Sequence, residues 1–332
     1  MSPQGPHWES PILQSVLPVV AAAGHVTTNP DAIDRVADWM AYEEFPPPTG
    51  ATLFGLGDDP DLIMDHTMVI NIINFAFTDF TTGVKFQTDY QGRTWYDSEA
   101  MVACVHRELT NGTPMLSGSY LSQVDEAELR RVFSGNIEMP MAAERAAAMR
   151  NVGQILVDHY DGAFHNFVRS CTPSLFDNGD GILERLVREF PRFNDVSQYG
   201  GHSVQIQKLA QLALWSLHLT LSPRGHWSLT DVGKFTAFAD YIVPVALRVM
   251  GVFSYSESLE QRINSGVLIA RDSEEEVELR AHSVYAAALL TDAINARRVG
   301  LTPLVVPQVD YRLWSHYHAT HWPHHLTVTT MY

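Results

Sequence analysis

The strongest constraint on the fold is a long stretch of helical periodicity in the last quarter of the chain. Residues 276–298, EVELRAHSVYAAALLTDAINARR, place apolar side chains at the spacing of an amphipathic helix. Arg297 and Arg298 fall in its last turn, where cations suit the negative end of the helix dipole. Gly300 follows and is predicted to end the helix. The pattern predicts a long helix here.

Similar periodicity predicts helices over residues 31–43, 141–157 and 203–219. The apolar stretch at 66–77 fits a buried helix or a strand, and we favour the helix. Strand signals are few, and residues 84–96 predict a hairpin or short ribbon. The sequence therefore predicts a mostly α fold with a small β-ribbon.

The chain of 332 residues is long enough for one large domain. We expect a single compact globular unit, with two helical lobes at about 1–180 and 181–332 and the site between them. The DNGDG run at 177–181 predicts a plain turn, because it lacks the spacing of a calcium loop.

Composition and charge limit the classes of molecule that the protein is expected to bind. The net charge is −16 and no basic stripe is visible, which argues against duplex nucleic acid. A single nucleotide remains compatible, because one Lys or Arg can hold one phosphate. Cys104 and Cys171 show no CxxC spacing and predict two buried thiols. No apolar run reaches about 18 residues, and no signal peptide is visible, so we expect a soluble cytoplasmic protein.

Three aspartates are candidates for chemistry. Asp240 lies in the apolar run FTAFADYIVP (235–244), and burying an unpaired carboxylate costs several kcal/mol. It is either a structural acid that tethers the backbone or part of a site. Asp231 precedes a predicted helix, where it is either an N-cap or a carboxylate reachable from a cleft. Asp195, after a Pro-flanked aromatic turn, raises the same alternatives.

A glycine turn and one cation are candidates for holding an anion. Gly200 and Gly201 precede the helix predicted over 203–219, whose N-terminus would favour a phosphate. The alternative is a simple corner between helices. Lys208 is a rare cation on that helix, and it either reaches solvent or holds a phosphate.

Aromatic and histidine clusters allow further interpretations. Phe75 and Phe77 are core residues by pattern, or they stack on a planar heterocycle. The tail holds five histidines without an HExxH motif, which favours hydrogen bonding over a metal site. There is no G-x-S-x-G, Walker A loop or GxGxxG motif after a strand, which argues against the common hydrolase, NTPase and dinucleotide-binding classes.

Ten short blocks follow one another along most of the chain. They are GHVTTNPDAI (24–33), NFAF (74–77), LSGSYLSQVDEAELRRVF (116–133), ERAAAMRNVGQIL (144–156), FPRFND (190–195), QKLAQL (207–212), FTAFADYIVP (235–244), EVELRA (276–281), VDYRLW (309–314) and HHLTVTTMY (324–332). In order and spacing they resemble the queuosine salvage protein family, the queuosine 5′-monophosphate N-glycosidases. The chain departs from the family pattern at Thr78, Leu209 and Ile242.

The resemblance implies a helical fold similar to the hairpin-type (helix-hairpin-helix) DNA glycosylases. It also implies hydrolysis of the N-glycosidic bond of queuosine 5′-monophosphate, a 7-deazaguanine nucleotide, to queuine and ribose 5-phosphate. No metal or organic cofactor is required for this reaction. We expect the protein to act as a monomer on this small molecule, without duplex nucleic acid or membrane.

Within this resemblance, a carboxylate near C1′ stabilises the positive charge that develops on the ribose. Asp231 is the first choice for that catalytic role, Asp240 the second and Asp195 the third. Phe75 and Phe77 are expected to stack on the base, and Lys208 to hold the phosphate. The other candidate substrate-binding residues are Tyr199, His202, His25, Trp227, His325 and Tyr332.

Two other classes of function stay open. A nucleic-acid base glycosylase of similar fold predicts salt-sensitive binding to oligonucleotides, against which the missing basic stripe counts. A non-catalytic helical binding protein predicts no turnover and a pocket without convergent acids.

Overall fold

Helices make up most of the structure. A computed structural model describes residues 4–48, 54–318 and 320–332. Its α-helices are α1 (Pro11–Ala22), α2 (Pro30–Met40), α3 (Pro60–Ile72), α4 (Asp97–Thr110), α5 (Gly118–Leu121), α6 (Glu126–Val132), α7 (Ala142–His159), α8 (Phe164–Ser170), α9 (Ile182–Glu189), α10 (Lys208–Leu221), α11 (Val243–Val249), α12 (Glu257–Asn264), α13 (Glu274–Arg297) and α14 (Val306–Tyr317). The prediction of a mostly α fold is confirmed. No helix in these three ranges is long and apolar enough to cross a membrane.

The described strands form three small antiparallel pairs. They are β1 (Val26–Thr28) with β6 (Phe253–Tyr255), β2 (Gln87–Tyr90) with β3 (Arg93–Tyr96), and β4 (Val196–Tyr199) with β5 (His202–Gln205). The β2–β3 pair is the hairpin predicted over 84–96. Its turn residues Gln91 and Gly92 both have positive φ, as a two-residue hairpin turn with the right twist requires.

The helix predicted over 203–219 is wrong in its first part. Gly200 and Gly201 connect β4 to β5, and α10 begins only at Lys208. Both glycines have positive φ, 55° and 83°, which suits a tight hairpin turn. The proposed anion site at a helix N-terminus after this turn is therefore also wrong, because a strand follows the glycines.

The helix predicted over 66–77 is correct only as far as Ile72, where α3 ends. Residues 74–77 are irregular, and Ala76 has a φ of 47°. A right-handed helix cannot contain a residue in that conformation, and it costs an L-residue about 1–2 kcal/mol. Contacts outside the segment must therefore fix its path.

The described residues group into two compact units. The first comprises residues 1–48, 195–211 and 231–328. Within it, α13 packs against α1, α2, α11 and α14. Ser273 caps α13 by accepting the N–H of Glu276 at 3.3 Å, and Glu274–Glu276 place negative charge at the positive end of its dipole. Because α13 is buried on nearly all sides, its polar side chains need internal partners.

The second unit comprises residues 49–194, 212–230 and 329–332. Within it, α7 packs against α3, α5 and α6, and α3 also contacts α8. Gly153 permits the close approach of α7 to α5, since a Cβ there would lie 2.3 Å from the backbone nitrogen of Ser122. Cys104 and Cys171 are both buried free thiols, as predicted.

Candidate active site

A buried ion pair organises the polar interior of the first unit. The two terminal nitrogens of Arg280, on α13, lie 3.0 and 2.6 Å from the two carboxylate oxygens of Asp195. Asp195 Oδ2 also accepts the backbone N–H of Lys208 at 3.3 Å, which places Asp195 at the start of α10. Arg280 Nε donates to the carbonyl of Ala239 at 3.1 Å. The pair therefore holds α10, α13 and the chain before Asp240 in one arrangement.

Asp240 begins the turn into α11. Its Oδ1 accepts the N–H groups of Ile242 at 2.8 Å and Val243 at 3.1 Å. Asp240 therefore tethers the backbone, which is the first of the two interpretations offered by the sequence. The side chain is half-buried, whereas the preceding Phe235, Ala237 and Ala239 are fully buried. One oxygen can hold the turn while the charge of the group acts elsewhere.

Asp310, on α14, is a further acid of this interior and was not among the three aspartates predicted from the sequence. Its side chain is buried, and Oδ1 accepts the N–H of Phe238 at 2.9 Å. Burial and, after it, the nearby charge of Asp240 raise the pKa of the Asp310 carboxyl to about 8, against the opposing effects of the Phe238 N–H and Lys208. Asp310 therefore keeps its proton at neutral pH.

Lys208 is a buried cation on which the charges of these acids act. The residue is only 7% exposed, so it is not the solvated surface lysine of the alternative interpretation. Burial lowers the pKa of its ammonium group, while the charges of Asp240, Asp310 and Asp195 oppose that effect. In the described ranges, no carboxylate lies close enough to Lys208 Nζ to form a salt bridge. The structure thus brings together Lys208, Asp195 and Asp240, and adds Asp310 and Arg280.

His325 belongs to the same unit and is almost fully buried. Burial, followed by the electrostatic effects of His324 and Arg280, lowers the pKa of its imidazole to about 3. The ring is neutral at pH 7, so it acts as a hydrogen-bonding group there and contributes no charge.

Tyr199, His25 and His202 lie on the small strand pairs or beside them. Glu278, on α13, accepts the hydroxyl of Tyr199 at 2.7 Å and the backbone N–H of His25 at 2.6 Å. The His25 ring is 3.2 Å from Ser256 Oγ. His202 is exposed beside the β4–β5 turn. Glu278 therefore anchors Tyr199 and the backbone at His25.

Asp231 precedes a short 3-10 helix, Val232–Lys234, as its N-cap residue. Its side chain makes no capping hydrogen bond to that helix, while its backbone carbonyl accepts the N–H of Lys234 at 2.9 Å. The carboxylate is half-buried. The position is the predicted loop-to-helix junction, but side-chain capping does not account for it.

The remaining candidates lie in the second unit. Phe75 and Phe77 are buried, and the guanidinium carbon of Arg145 lies 4.2 and 5.3 Å from their ring centroids. Trp227 is half-buried and Tyr332 is buried. In the described part of the chain, no group of three or more His, Cys, Asp or Glu side chains is arranged to hold a metal ion.

Fold and site together define a mostly helical protein whose first unit holds a buried lysine under the influence of three acids. The family model for the queuosine salvage protein matches residues 56–332. The chain belongs to this family.

Curated relatives cover most of the chain. A protein of Sphaerobacter thermophilus is 28% identical over 97% of both chains, and one of Bos taurus is 28% identical over 85% of this chain and 81% of its own. A protein of Schizosaccharomyces pombe is 27% identical over 76% of this chain and 73% of its own. Each is named a queuosine 5′-phosphate N-glycosylase/hydrolase.

Proposed function

We propose that this protein hydrolyses the N-glycosidic bond of queuosine 5′-monophosphate, releasing queuine and ribose 5-phosphate. Membership of the queuosine salvage family and the names of the curated relatives support this substrate. One structural observation carries the assignment of the site. The charges of Asp240 and Asp310 act on the buried ammonium group of Lys208, Asp195 accepts the backbone N–H of Lys208, and Arg280 binds both oxygens of Asp195.

The reaction needs a negative charge beside the sugar. As the bond from C1′ to the base breaks, the ribose takes on oxocarbenium character, and a nearby carboxylate stabilises it. The same carboxylate orients or deprotonates the water that adds its hydroxyl to C1′, and the departing base takes up a proton. Hydrolysis of this kind requires no redox partner.

We assign the carboxylate at C1′ to Asp240. Asp310 carries a proton at neutral pH, and both oxygens of Asp195 are engaged by Arg280. The second oxygen of Asp240 is left to face the sugar, because Oδ1 takes both turn N–H groups. Asp231, the first choice from sequence, stays the alternative, and its half-buried carboxylate makes it the natural comparison.

Lys208 is proposed to hold the 5′-phosphate. A buried ammonium group gains a strong charge-assisted hydrogen bond when it meets a phosphate oxygen. The low local polarity that lowers the pKa of Lys208 also strengthens that contact. Phosphate binding would therefore fix the ribose relative to Asp240.

The other predicted contacts are retained as proposals. Phe75 and Phe77 are proposed to stack on the deazapurine, with Asp195 third among the catalytic acids. The further proposed substrate-binding residues are Tyr199, His202, His25, Trp227, His325 and Tyr332. We also propose that the protein acts as a cytoplasmic monomer on the free nucleotide, and the net charge of −16 supports a mononucleotide over a polyanion.

Incubation of the purified protein with queuosine 5′-monophosphate tests the proposal. Mass spectrometry should find queuine and ribose 5-phosphate in equal amounts, growing with time. Guanosine 5′-monophosphate and unmodified oligonucleotides serve as comparison substrates. If none of these substrates releases a base, the enzymatic function is wrong. If only oligonucleotides do, the protein is a nucleic-acid glycosylase.

A further inference from the structure

The segment 73–77 of the second unit is held by one buried arginine. Arg145, on α7, donates from its terminal nitrogens to the carbonyls of Ile73, Phe75 and Ala76, the last at 2.7 Å. Its Nε donates to the carbonyl of Pro140 at 2.9 Å. In the part of the chain that the structure describes, every hydrogen bond of this guanidinium group goes to a backbone oxygen, and three of the acceptors lie within four consecutive residues.

Burying the Arg145 cation among backbone carbonyls costs free energy, so we look for a role in holding the 73–77 segment. Arg145 has no exposed surface, and a buried cation without a carboxylate hydrogen bond costs several kcal/mol. Burial, followed by the charge of Arg192, lowers the pKa of Arg145 to about 9, so the group stays charged at neutral pH. A helix such as α3 can end with a glycine at much lower cost.

A second arginine, Arg192, binds the backbone just before this segment. Arg192 Nε donates to the carbonyl of Ile72 at 2.6 Å, and Nη2 donates to the carbonyl of Thr330 at 2.8 Å. Its guanidinium carbon lies 4.9 Å from the Phe75 ring centroid. Arg145 and Arg192 thus donate to the carbonyls of Ile73 and Ile72 at the end of α3, and the Ile73 carbonyl also accepts the N–H of Phe75 at 3.0 Å.

The hydrogen bonds from Arg145 to residues 73–76, here called the Arg145 clamp, also orient two aromatic rings. Arg145 contacts the rings of Phe75 and Phe77 while binding the backbone between them. Ala76, at the centre, has a φ of 47°, a conformation that persists only where the surroundings enforce it. Without Arg145 the backbone would relax toward a right-handed conformation, and the side chain of Phe77 would turn with it.

We infer that Arg145 is a positioning residue for base binding, because it holds the 73–77 segment in the one conformation that presents Phe77 to the substrate. This inference rests on the proposed function, in which Phe77 contacts the deazapurine. Arg145 itself touches no reacting atom. Its loss should therefore weaken substrate binding more than it slows the chemical step.

The experiment compares Arg145→Met and Arg145→Lys with a matched control, Arg150→Met. Arg150 lies on the same helix and also donates to a backbone carbonyl, that of Val124 at 2.7 Å, outside the 73–77 segment. Hydrogen exchange of the peptide that contains residues 73–77 reports the clamp in each protein without substrate. The KM and kcat for queuosine 5′-monophosphate report its effect on binding.

We expect faster exchange in this peptide and a KM raised about tenfold or more for Arg145→Met, with kcat within about threefold of wild type. Arg145→Lys keeps the charge but lacks the planar set of N–H donors of the guanidinium group, so its exchange rate and KM should lie between those of wild type and Arg145→Met. Arg150→Met should leave both measurements unchanged. Unchanged exchange in both Arg145 variants, or a fall in kcat at constant KM, would overturn the inference. A wild-type protein that releases no queuine contradicts the proposed function instead, and exchange still decides whether the clamp exists.

Discussion

Arg280 grips Asp195 through two parallel hydrogen bonds of 3.0 and 2.6 Å, with both side chains almost fully buried. Such a pair contributes little net free energy over an apolar one, yet losing one partner leaves a buried charge uncompensated. Because the same aspartate accepts the N–H of Lys208, the pair fixes the position of the lysine. Asp195 is therefore better suited to support than to contact with the sugar.

Asp195→Asn should lower the free energy of unfolding by about 3–5 kcal/mol, because Arg280 then loses the carboxylate that both its terminal nitrogens contact and keeps the more distant Glu276, at 3.8 Å from Nη1. Urea denaturation measures this. The control is Asp34→Asn, because the Asp34 side chain is 50% exposed and its partner Arg297 keeps Asp38 at 2.7 Å, so the expected loss is below about 1 kcal/mol. An Asp195→Asn protein as stable as wild type, yet inactive, would favour direct contact with the substrate.

Asp240→Asn should lower kcat about 100-fold or more, because the negative charge at C1′ is lost. The amide oxygen can still accept the N–H groups of Ile242 and Val243, so the turn and the melting temperature should change little. Asp231→Asn is the matched comparison. If that variant loses turnover and Asp240→Asn does not, the first choice from sequence is right and our assignment is wrong.

Lys208→Met should raise the KM for queuosine 5′-monophosphate by roughly ten- to a hundredfold, the value of about 1.5–3 kcal/mol for a charged hydrogen bond. The nucleoside queuosine, which has no phosphate, should show a much smaller change. Steady-state kinetics on both substrates separates the two effects. Equal losses on nucleotide and nucleoside would place Lys208 away from the phosphate.

The buried carboxyl of Asp310 predicts a pH-dependent stability. Its pKa is about 8 in the folded protein against 3.8 ordinarily, so the folded state binds more protons than the unfolded state between these values. The contribution of this group is fully present below about pH 4 and is lost as the pH rises to about 8. Asp310→Asn, whose amide oxygen can still accept the N–H of Phe238, should remove this slope.

Urea denaturation of wild type and Asp310→Asn at pH 5 and pH 8 makes the test. The variant should gain stability relative to wild type as the pH rises. Parallel curves at the two pH values would show that Asp310 already ionises normally in the folded protein.

Periodicity predicted the helices well where one face is buried. α2 and α7 match the predicted segments within a few residues, because local spacing carries the signal. The β5 strand was missed because SVQIQ alternates as well as it follows a helical repeat, and the glycines that decide between them act through the turn. α13 was found, but its buried polar positions were not interpretable from spacing alone, since all its faces are covered.

The candidate site was only partly predictable for a related reason. Lys208 and Asp240 stand out as isolated charges in apolar surroundings, which is a local feature of the sequence. Arg280 and Asp310 come from distant segments of the sequence. Only the tertiary fold shows that Arg280 binds Asp195 and that the charges of Asp240 and Lys208 act on Asp310. The same holds for Arg145, whose acceptors lie about 70 residues away in sequence.

The first unit joins residues near the amino terminus to residues almost 300 positions later, which has a consequence for biosynthesis. The backbone N–H of Gln4 and the indole of Trp8 both donate to Asp292, and the first of these contacts spans 288 residues. At ribosomal speeds of about 5–20 residues per second, the amino-terminal segment must wait roughly 15–60 s for that partner to be made. Throughout this interval the apolar faces of α1 and α2 lack the α13 surface that covers them, so the first unit cannot complete its core until α13 has been made.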